Sequence, residues 1–402
     1  MNIYICNCPN TFNYGSMMMA ENFIKEFNAN STEINTYYHE TSDEVNTKRL
    51  IEATKYYKIF PVEMNSLFKE NLSKYDYLVG YFGIKDITTY LINDVDMIIV
   101  LGGDDYTEDY GWKGPIINLI KLVNLHNQHK LVIMLGQTMG PYLSFRKPIM
   151  GHLLKKIDRI FPRDPMTFEY LKQLNLENIS LTDDLALLEL SKQEKRQRSK
   201  KYITYCPSEL IYRYSKSENR EDWVDFNLYM INQILIEFPD KIIVLLAHVL
   251  KPSHVDDRKI ATELYKLLKK KYSARILLKT EEMLPYEVRN IIQESLFTIS
   301  SRMHPVISSI QCCIPIIALS YSQKYWGIIG ERYDLKEFIL DVRFMDYEEM
   351  KKRFILLLSK IITEYELIKI KMSDKNSQAE KSISKTIKKI AQLSGVNYKR
   401  NK

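Results

Sequence analysis

Short apolar runs that end in glycine or a polar residue alternate with helix-patterned stretches along most of this chain, a pattern that predicts parallel sheets with helices on their faces. Strands are predicted at 3–8, 33–38, 97–101, 131–135, 159–161 and 179–181. A charged stretch at 191–201 has no apolar period and reads as a linker. Beyond it the pattern restarts, with strands predicted at 202–205, 242–247, 275–278, 296–299 and 316–319 and helices over 223–238, 257–271 and 286–294. With 402 residues there is material for two cores. The expected fold is therefore α/β, with two Rossmann-like domains whose parallel sheets face each other across a cleft. The expected bounds are 1–190, with a Tyr-rich helical insert at about 43–90, then 202–335, then basic closing helices over 346–402.

Charge is uneven along the chain. Residues 351–402 carry 14 Lys and Arg against 4 Asp and Glu, a balance of +10, so with +7 for the whole chain the remainder sums to about −3. The body thus has no basic footprint for nucleic acid, which is excluded as the main ligand. The tail has apolar residues at helical spacing with lysines between them. It reads as one or two closing helices with a solvated basic face, or as a surface for peripheral contact with anionic lipid at the inner membrane face. The chain enters a strand at once, with no basic flank or cleavage signal, and no apolar run reaches the roughly 18 residues of a membrane span. The five cysteines show no CxxC spacing, which favours reduced thiols and a cytoplasmic setting.

Ligands of open parallel sheets sit outside the carboxyl ends of the strands. In this sequence those ends carry Asn13-Tyr14-Gly15-Ser16, Gly102-Gly103-Asp104, Gly136-Gln137-Thr138-Met139-Gly140-Pro141, Arg163-Asp164, Asp183-Asp184, His248, Ser301-Arg302-Met303-His304, and Tyr321 with Lys324. Glycines let backbone N–H groups approach a ligand oxygen, and a following helix N-terminus favours negative charge. Arginine adds a rigid fork for carboxylate or phosphate. Arg163 follows Pro162 at a buried strand end, where an unpaired guanidinium is costly. Either Asp164 or a bound anion must compensate it, and the anion is the favoured reading. Pro305 suggests a helix start at that residue, with His304 extended beside the cap, so that Arg302 and His304 face one ligand together. A helix N-terminus opposes imidazolium while a bound anion favours it, which predicts an imidazole useful for proton transfer.

Other chemistries lack their residues. No GxGxxG follows a strand and no GxxxxGK[ST] occurs, which argues against dinucleotide and P-loop enzymes. Asp94-Val95-Asp96 precedes its strand, at the wrong end of a sheet for a metal–sugar motif. The seven histidines have no zinc spacing, so no metal is expected.

Taken in order, Asn13-Tyr14-Gly15-Ser16, Val100-Leu101-Gly102-Gly103, Gly136-Gln137-Thr138-Met139-Gly140-Pro141, Arg163-Asp164, Asp183, Ser301-Arg302-Met303-His304, Ile314-Pro315 and Tyr321-Ser322-Gln323-Lys324 resemble the polysaccharide pyruvyl transferases over about residues 1–335. The resemblance implies a GT-B-like two-domain fold. It further implies transfer of a pyruvyl group from phosphoenolpyruvate to a hydroxyl pair of a sugar or lipid-linked oligosaccharide as a cyclic ketal, with no cofactor. Arg163, Arg302 and His304 are the expected catalytic residues, converging on the donor. Asn13, Gly15, Ser16, Gly102, Gly103, Gln137, Ser301 and Lys324 are expected to bind the donor, and Asp104, Asp183, His248 and Tyr321 the acceptor. Members of the family often have a third glycine where this chain has Asp104. A GT-B-like glycosyltransferase using a nucleotide-sugar, and a non-catalytic glycan-binding protein, are the alternatives.

Overall fold

A computed structural model describes residues 1–194 and 199–400, the side chains of 395–400 excepted. Part of the expected linker, 195–198, lies outside the described residues. In chain order the first half supplies β1 (Asn2–Cys6), α1 (Tyr14–Asn30), β2 (Thr36–Glu40), α2 (Glu44–Thr54), β3 (Ile59–Val62), α3 (Lys74–Tyr81), α4 (Leu91–Asp94), β4 (Met97–Leu101), α5 (Lys113–Asn127), β5 (Leu131–Gln137), α6 (Arg146–Leu154), β6 (Arg159–Pro162) and α7 (Pro165–Gln173). The second supplies β7 (Tyr202–Cys206), α8 (Arg220–Glu237), β8 (Ile242–Leu246), α9 (Arg258–Tyr272), β9 (Ile276–Lys279), α10 (Pro285–Gln293), β10 (Ser295–Ser300), α11 (Met303–Gln311), β11 (Ile316–Ser320), α12 (Gln323–Tyr325), β12 (Ile339–Asp341), α13 (Tyr347–Thr363) and α14 (Tyr365–Arg400).

Two six-stranded sheets form among the described residues, in the orders β3-β2-β1-β4-β5-β6 and β12-β11-β10-β7-β8-β9. All pairs are parallel. Renumbered within its own half, the second order matches the first, and both are the doubly wound Rossmann order. The direction of winding switches between β1 and β4 in one sheet and between β7 and β10 in the other. The central strands β4 and β5 are buried at every residue, as expected of strands covered on both faces.

Three expectations about elements are corrected. The stretch 43–90 is not simply a helical insert: α2 and β3 within it continue the sheet, β3 pairing with β2. β3 escaped notice because it is short, contains Pro61 and is largely exposed, all features of an edge strand. The strand expected at 179–181 is reduced to a single parallel bridge between Ile160 and Ile179. β12, three residues long, was also missed.

Contacts divide the chain into two units whose bounds depart from the sequence estimate. One holds Met1–Thr11, Met19–Leu185 and residues from Ala379 on; the other holds Phe12–Met18 and Ala186–Gln378. The last two residues of the loop after β1 and the first turn of α1 therefore belong to the second unit, and α14 carries residues of both. The tail is two helices, α13 and α14, whose apolar positions Phe354, Ile361, Met372, Ile383, Ile387 and Ile390 are buried.

Candidate functional site

In the second unit the chain leaves β10 through Ser300 and Ser301, and Arg302 caps α11. The Ser300 hydroxyl accepts from the Arg302 amide at 2.9 Å and donates to the Arg302 carbonyl at 2.7 Å, which fixes the corner. Met303 is the first helical residue, so His304 is helical and Pro305 occupies the third position. The extended placement of His304 is thus corrected: Pro305 needs no hydrogen bond anywhere in the first turn, and the helix starts two residues before it.

His304 meets another part of the sequence motif instead. Its imidazole lies against Gly15, where a Cβ would fall on Nδ1 and Cγ closer than real Cβ atoms come. Glycine at this position is a requirement of close approach. The segment is held by backbone pairing, with an antiparallel bridge between Asn13 and Val249 and a bond from the Tyr14 amide to the His248 carbonyl at 3.4 Å. The Tyr14 hydroxyl accepts from the Met283 amide at 3.0 Å.

Arg302 has a partner that the sequence reading did not find. Asp257 accepts from its Nη2 at 2.8 Å and from its Nε at 3.0 Å, and the Val255 carbonyl accepts from Nη2 at 2.8 Å. The Asp257 carboxylate also accepts from the amides of Val249 and Glu209 at 3.0 and 3.2 Å. One buried carboxylate thereby ties together the chain ends after β7, β8 and β10. Burial opposes the Arg302 charge, yet Asp257, with the phenols of Tyr321 and Tyr325 adding, holds the guanidinium above the usual arginine range. The fork expected to grip a ligand is occupied along one edge, leaving Nη1 for one. Asp257 precedes α9 like an ordinary helix-capping acid, but it makes no cap bond, and nothing in the sequence separates the two roles.

His248 is buried beside this corner, its ring perpendicular to that of Tyr14 with centroids 5.4 Å apart. Burial, then the charges of His304, Arg302 and Arg289, push it well below the usual histidine range, so it is neutral. His248 Nε2, Ser301 Oγ and Ser322 Oγ are all buried without a hydrogen-bond partner among the described residues, at the ends of β8, β10 and β11. Buried polar atoms are normally satisfied, so orphans at three strand ends of one sheet indicate a place for a ligand or water. Lys324 is buried, with Nζ 3.3 Å from the Tyr321 hydroxyl, and Tyr321 stacks on Tyr214 at 5.3 Å. Asn13, Gly15, His248, Ser301, Arg302, His304, Tyr321 and Lys324 all belong to this unit, as does Ser16.

The first unit holds the remaining predicted residues. Arg163, 1% exposed, donates from Nη1 to Asp184 at 2.7 Å and from Nε to the Thr138 hydroxyl at 3.0 Å. Asp184 is therefore the carboxylate that pairs with Arg163, in place of Asp164. The chain reaches it by running beside β6, with the Thr182 amide bonded to the Pro162 carbonyl at 2.9 Å. Asp164 instead caps α7, accepting from the Thr167 amide at 2.8 Å, and it also accepts from Thr138 at 3.1 Å. Gly103 faces the guanidinium, since a Cβ there would lie 3.6 Å from Nη2. A Cβ on Gly102 would come 2.6 Å from Gln137 Nε2, so any larger residue there would push the Gln137 amide aside. Gln137 is fully buried, with Oε1 unsatisfied. Asp104 is half-buried and accepts from the Tyr110 hydroxyl at 2.6 Å, while Asp183 is buried next to Asp184. Among the described residues no group of His, Cys, Asp and Glu is placed to hold a metal ion.

Comparison with known proteins bears on both units. A family model described as polysaccharide pyruvyl transferase matches residues 13–323. The chain belongs to this family. No curated protein matches it. Among solved structures it resembles UDP-GlcNAc 2-epimerase from Neisseria meningitidis bound to UDP-GlcNAc, at 12% identity and a TM-score of 0.60, covering 98% of each chain. It also resembles TcCGT1 in complex with UDP, at 9% identity and 0.59 over 98% of this chain and 99% of that one. UDP-GlcNAc 2-epimerase from Methanocaldococcus jannaschii follows at 11% identity and 0.55, over 89% of this chain and 92% of that one. At such identities the likeness establishes the fold alone, which is the GT-B-like two-domain α/β architecture. No helix among the described residues is long and apolar enough to cross a membrane.

Proposed function

We propose that this member of the family transfers a pyruvyl group from phosphoenolpyruvate to a pair of hydroxyls on a sugar of a cell-surface glycan or its lipid-linked precursor. The observation that supports this most directly is the corner in which the His304 imidazole rests on Gly15 beside a buried, charge-paired Arg302. Arg302 Nη1 and the Ser301 hydroxyl supply donors for an anion, with Lys324 close to Tyr321 adding charge. Arg163, set against Gly103, is assigned to the same reaction as a further charge-holding group.

The chemistry balances with no external reductant. A proton adds to the methylene carbon of phosphoenolpyruvate, and the first sugar hydroxyl bonds to the adjacent carbon as it loses its own proton. The second hydroxyl then bonds to that carbon while the C–O bond to phosphate breaks, and its proton leaves with the phosphate. His304 is assigned the proton movements, because an imidazole can both give and take a proton near neutral pH. The five cysteines, without CxxC spacing, suit a cytoplasmic setting, and the lysines of α13 and α14 suit peripheral contact with anionic lipid.

His304→Ala is expected to keep phosphoenolpyruvate binding, read as an unchanged rise in melting temperature on adding the donor, and to lose phosphate release by at least a hundredfold, at the lower end for a general acid–base group. Near-normal phosphate release would remove His304 from its role. The similar solved structures bound to UDP-GlcNAc or in complex with UDP give a second reading, a nucleotide-sugar donor. A melting-temperature rise with UDP-sugars and none with phosphoenolpyruvate would select it.

A further inference from the structure

A cavity of ≈ 220 Å³ lies within the first unit, on one face of its sheet along the seam where the winding direction switches. Tyr4 and Cys6 of β1 and Ile98 of β4 form its floor; Tyr4 and Ile98 are register partners. Asn118, Lys121 and Leu122 on one side of α5 form a wall, and Met64, Asn65, Leu67 and Phe68, from the segment after β3, form another. Met64, 45% exposed, lies at its rim, so the cavity is reachable from solvent.

Part of the lining is polar. Glu40, the last residue of β2, is buried and accepts from the Asn65 amide at 2.7 Å and the Tyr4 hydroxyl at 3.1 Å. Lys121 donates to the Asn65 side chain at 2.8 Å and lies 4.9 Å from the Tyr77 ring. Asn7, in left-handed backbone at φ 61°, and Asn118 add side-chain amides. The rings of Tyr4, Phe68 and Tyr106 supply flat apolar surface.

We infer that this cavity binds one neutral, hydroxyl-bearing sugar ring. The volume equals roughly seven waters at about 30 Å³ each, and it is below the 300–1,000 Å³ of sites for drug-sized ligands. One carboxylate and one ammonium leave no surplus positive charge for a phosphate or a carboxylate. Amides and a carboxylate beside aromatic faces match a ring with hydroxyls on its rim and C–H groups on its faces. That the ring is part of the acceptor rests on the pyruvyl-transfer reading; the binding does not.

The test is titration of the full chain with methyl glycosides of glucose, galactose, mannose, N-acetylglucosamine and N-acetylmannosamine, followed by saturation-transfer NMR and by the methyl resonance of Ile98. At least one glycoside is expected to bind and to shift the Ile98 signal. Asn118→Trp, which fills the cavity from a half-exposed position, is expected to abolish binding, and Glu40→Gln to weaken it tenfold or more, with melting temperatures near that of the parent. An unmoved Ile98 resonance with every glycoside overturns the inference without recourse to any variant. So does binding that survives Asn118→Trp undiminished. Phosphate release from phosphoenolpyruvate is measured alongside. Glycoside binding blocked by Asn118→Trp with no phosphate release would keep the cavity and discard pyruvyl transfer, whereas phosphate release whose KM for glycoside ignores Asn118→Trp would do the reverse.

Discussion

Gly15 and Asp257 carry more of the candidate site than their residue types announce. Any side chain at position 15 displaces the His304 ring. Gly15→Ala is therefore expected to lower phosphate release at least tenfold, the lower range of losses for a misplaced group, while leaving the protein folded. Steady-state kinetics together with circular dichroism check this, and full activity in the variant would mean the ring can move without consequence. Asp257→Asn leaves the Arg302 guanidinium buried and unpaired, a change that costs about 3–5 kcal/mol when a buried pair is broken. An anion that meets Arg302 should partly replace the lost charge. The melting-temperature rise on adding phosphoenolpyruvate is expected to be larger in Asp257→Asn than in the parent, and an equal or smaller rise would show that Arg302 faces no donor. Both residues were hard to weigh from sequence. Glycine after a strand is common in any turn, and an aspartate before a helix reads as a cap.

Among elements, the strand ends were more legible than the contacts they make. The apolar runs of β4, β5 and β8 stand out because both faces are covered, whereas β3 and β12 are too short or too exposed to show a period. α11 starts two residues before Pro305 because proline is tolerated throughout the first helical turn, not only at its first position. The N-terminus of α7 offers a clean test of local design. Asp164 caps the helix through Thr167 and also accepts from Thr138, which in turn accepts from Arg163. Asp164→Ala is expected to destabilise the protein by about 1–2 kcal/mol or more, the range for losing a cap, measured as a lower urea midpoint with unchanged slope. Asp164→Asn, which retains an acceptor for the Thr167 amide, is expected to recover much of the loss. Equal loss in both variants would place the effect on the carboxylate charge instead.

Stability against pH belongs to the whole molecule. His248 is held well below its ordinary range by burial and by neighbouring charges, and His39, buried against Thr47 and the Cys8 carbonyl, is lowered by burial. Because these folded-state values lie under the unfolded one of about 6.5, acidification through that point protonates the unfolded chain first and stability is lost as pH falls. His126, raised by its hydrogen bond to Asp158, acts in the opposite sense. The His248 contribution is isolated by difference: His248→Gln is expected to lose less stability than the parent between pH 7 and about 5.5, by up to about 1.4 kcal/mol per pH unit, the slope for one proton. Parallel urea midpoints for the two proteins across that range would reject a neutral buried His248.

What the amino-acid order determined alone was the architecture and the chemical types at the strand ends. Side-chain period, glycine placement and apolar runs are local properties, and they survive in a string of letters. The polysaccharide pyruvyl transferase motifs were likewise legible because they occur in a fixed order along the chain. What the tertiary structure decided was pairing: Asp184 with Arg163, Asp257 with Arg302, Gly15 with His304, and the transfer of Phe12–Met18 to the second unit. Each joins residues from 21 to 289 positions apart, as the hydrogen bonds and the numbering record. A charge has no preferred partner until folding removes water from around it, so only the packed chain can say which carboxylate answers which guanidinium.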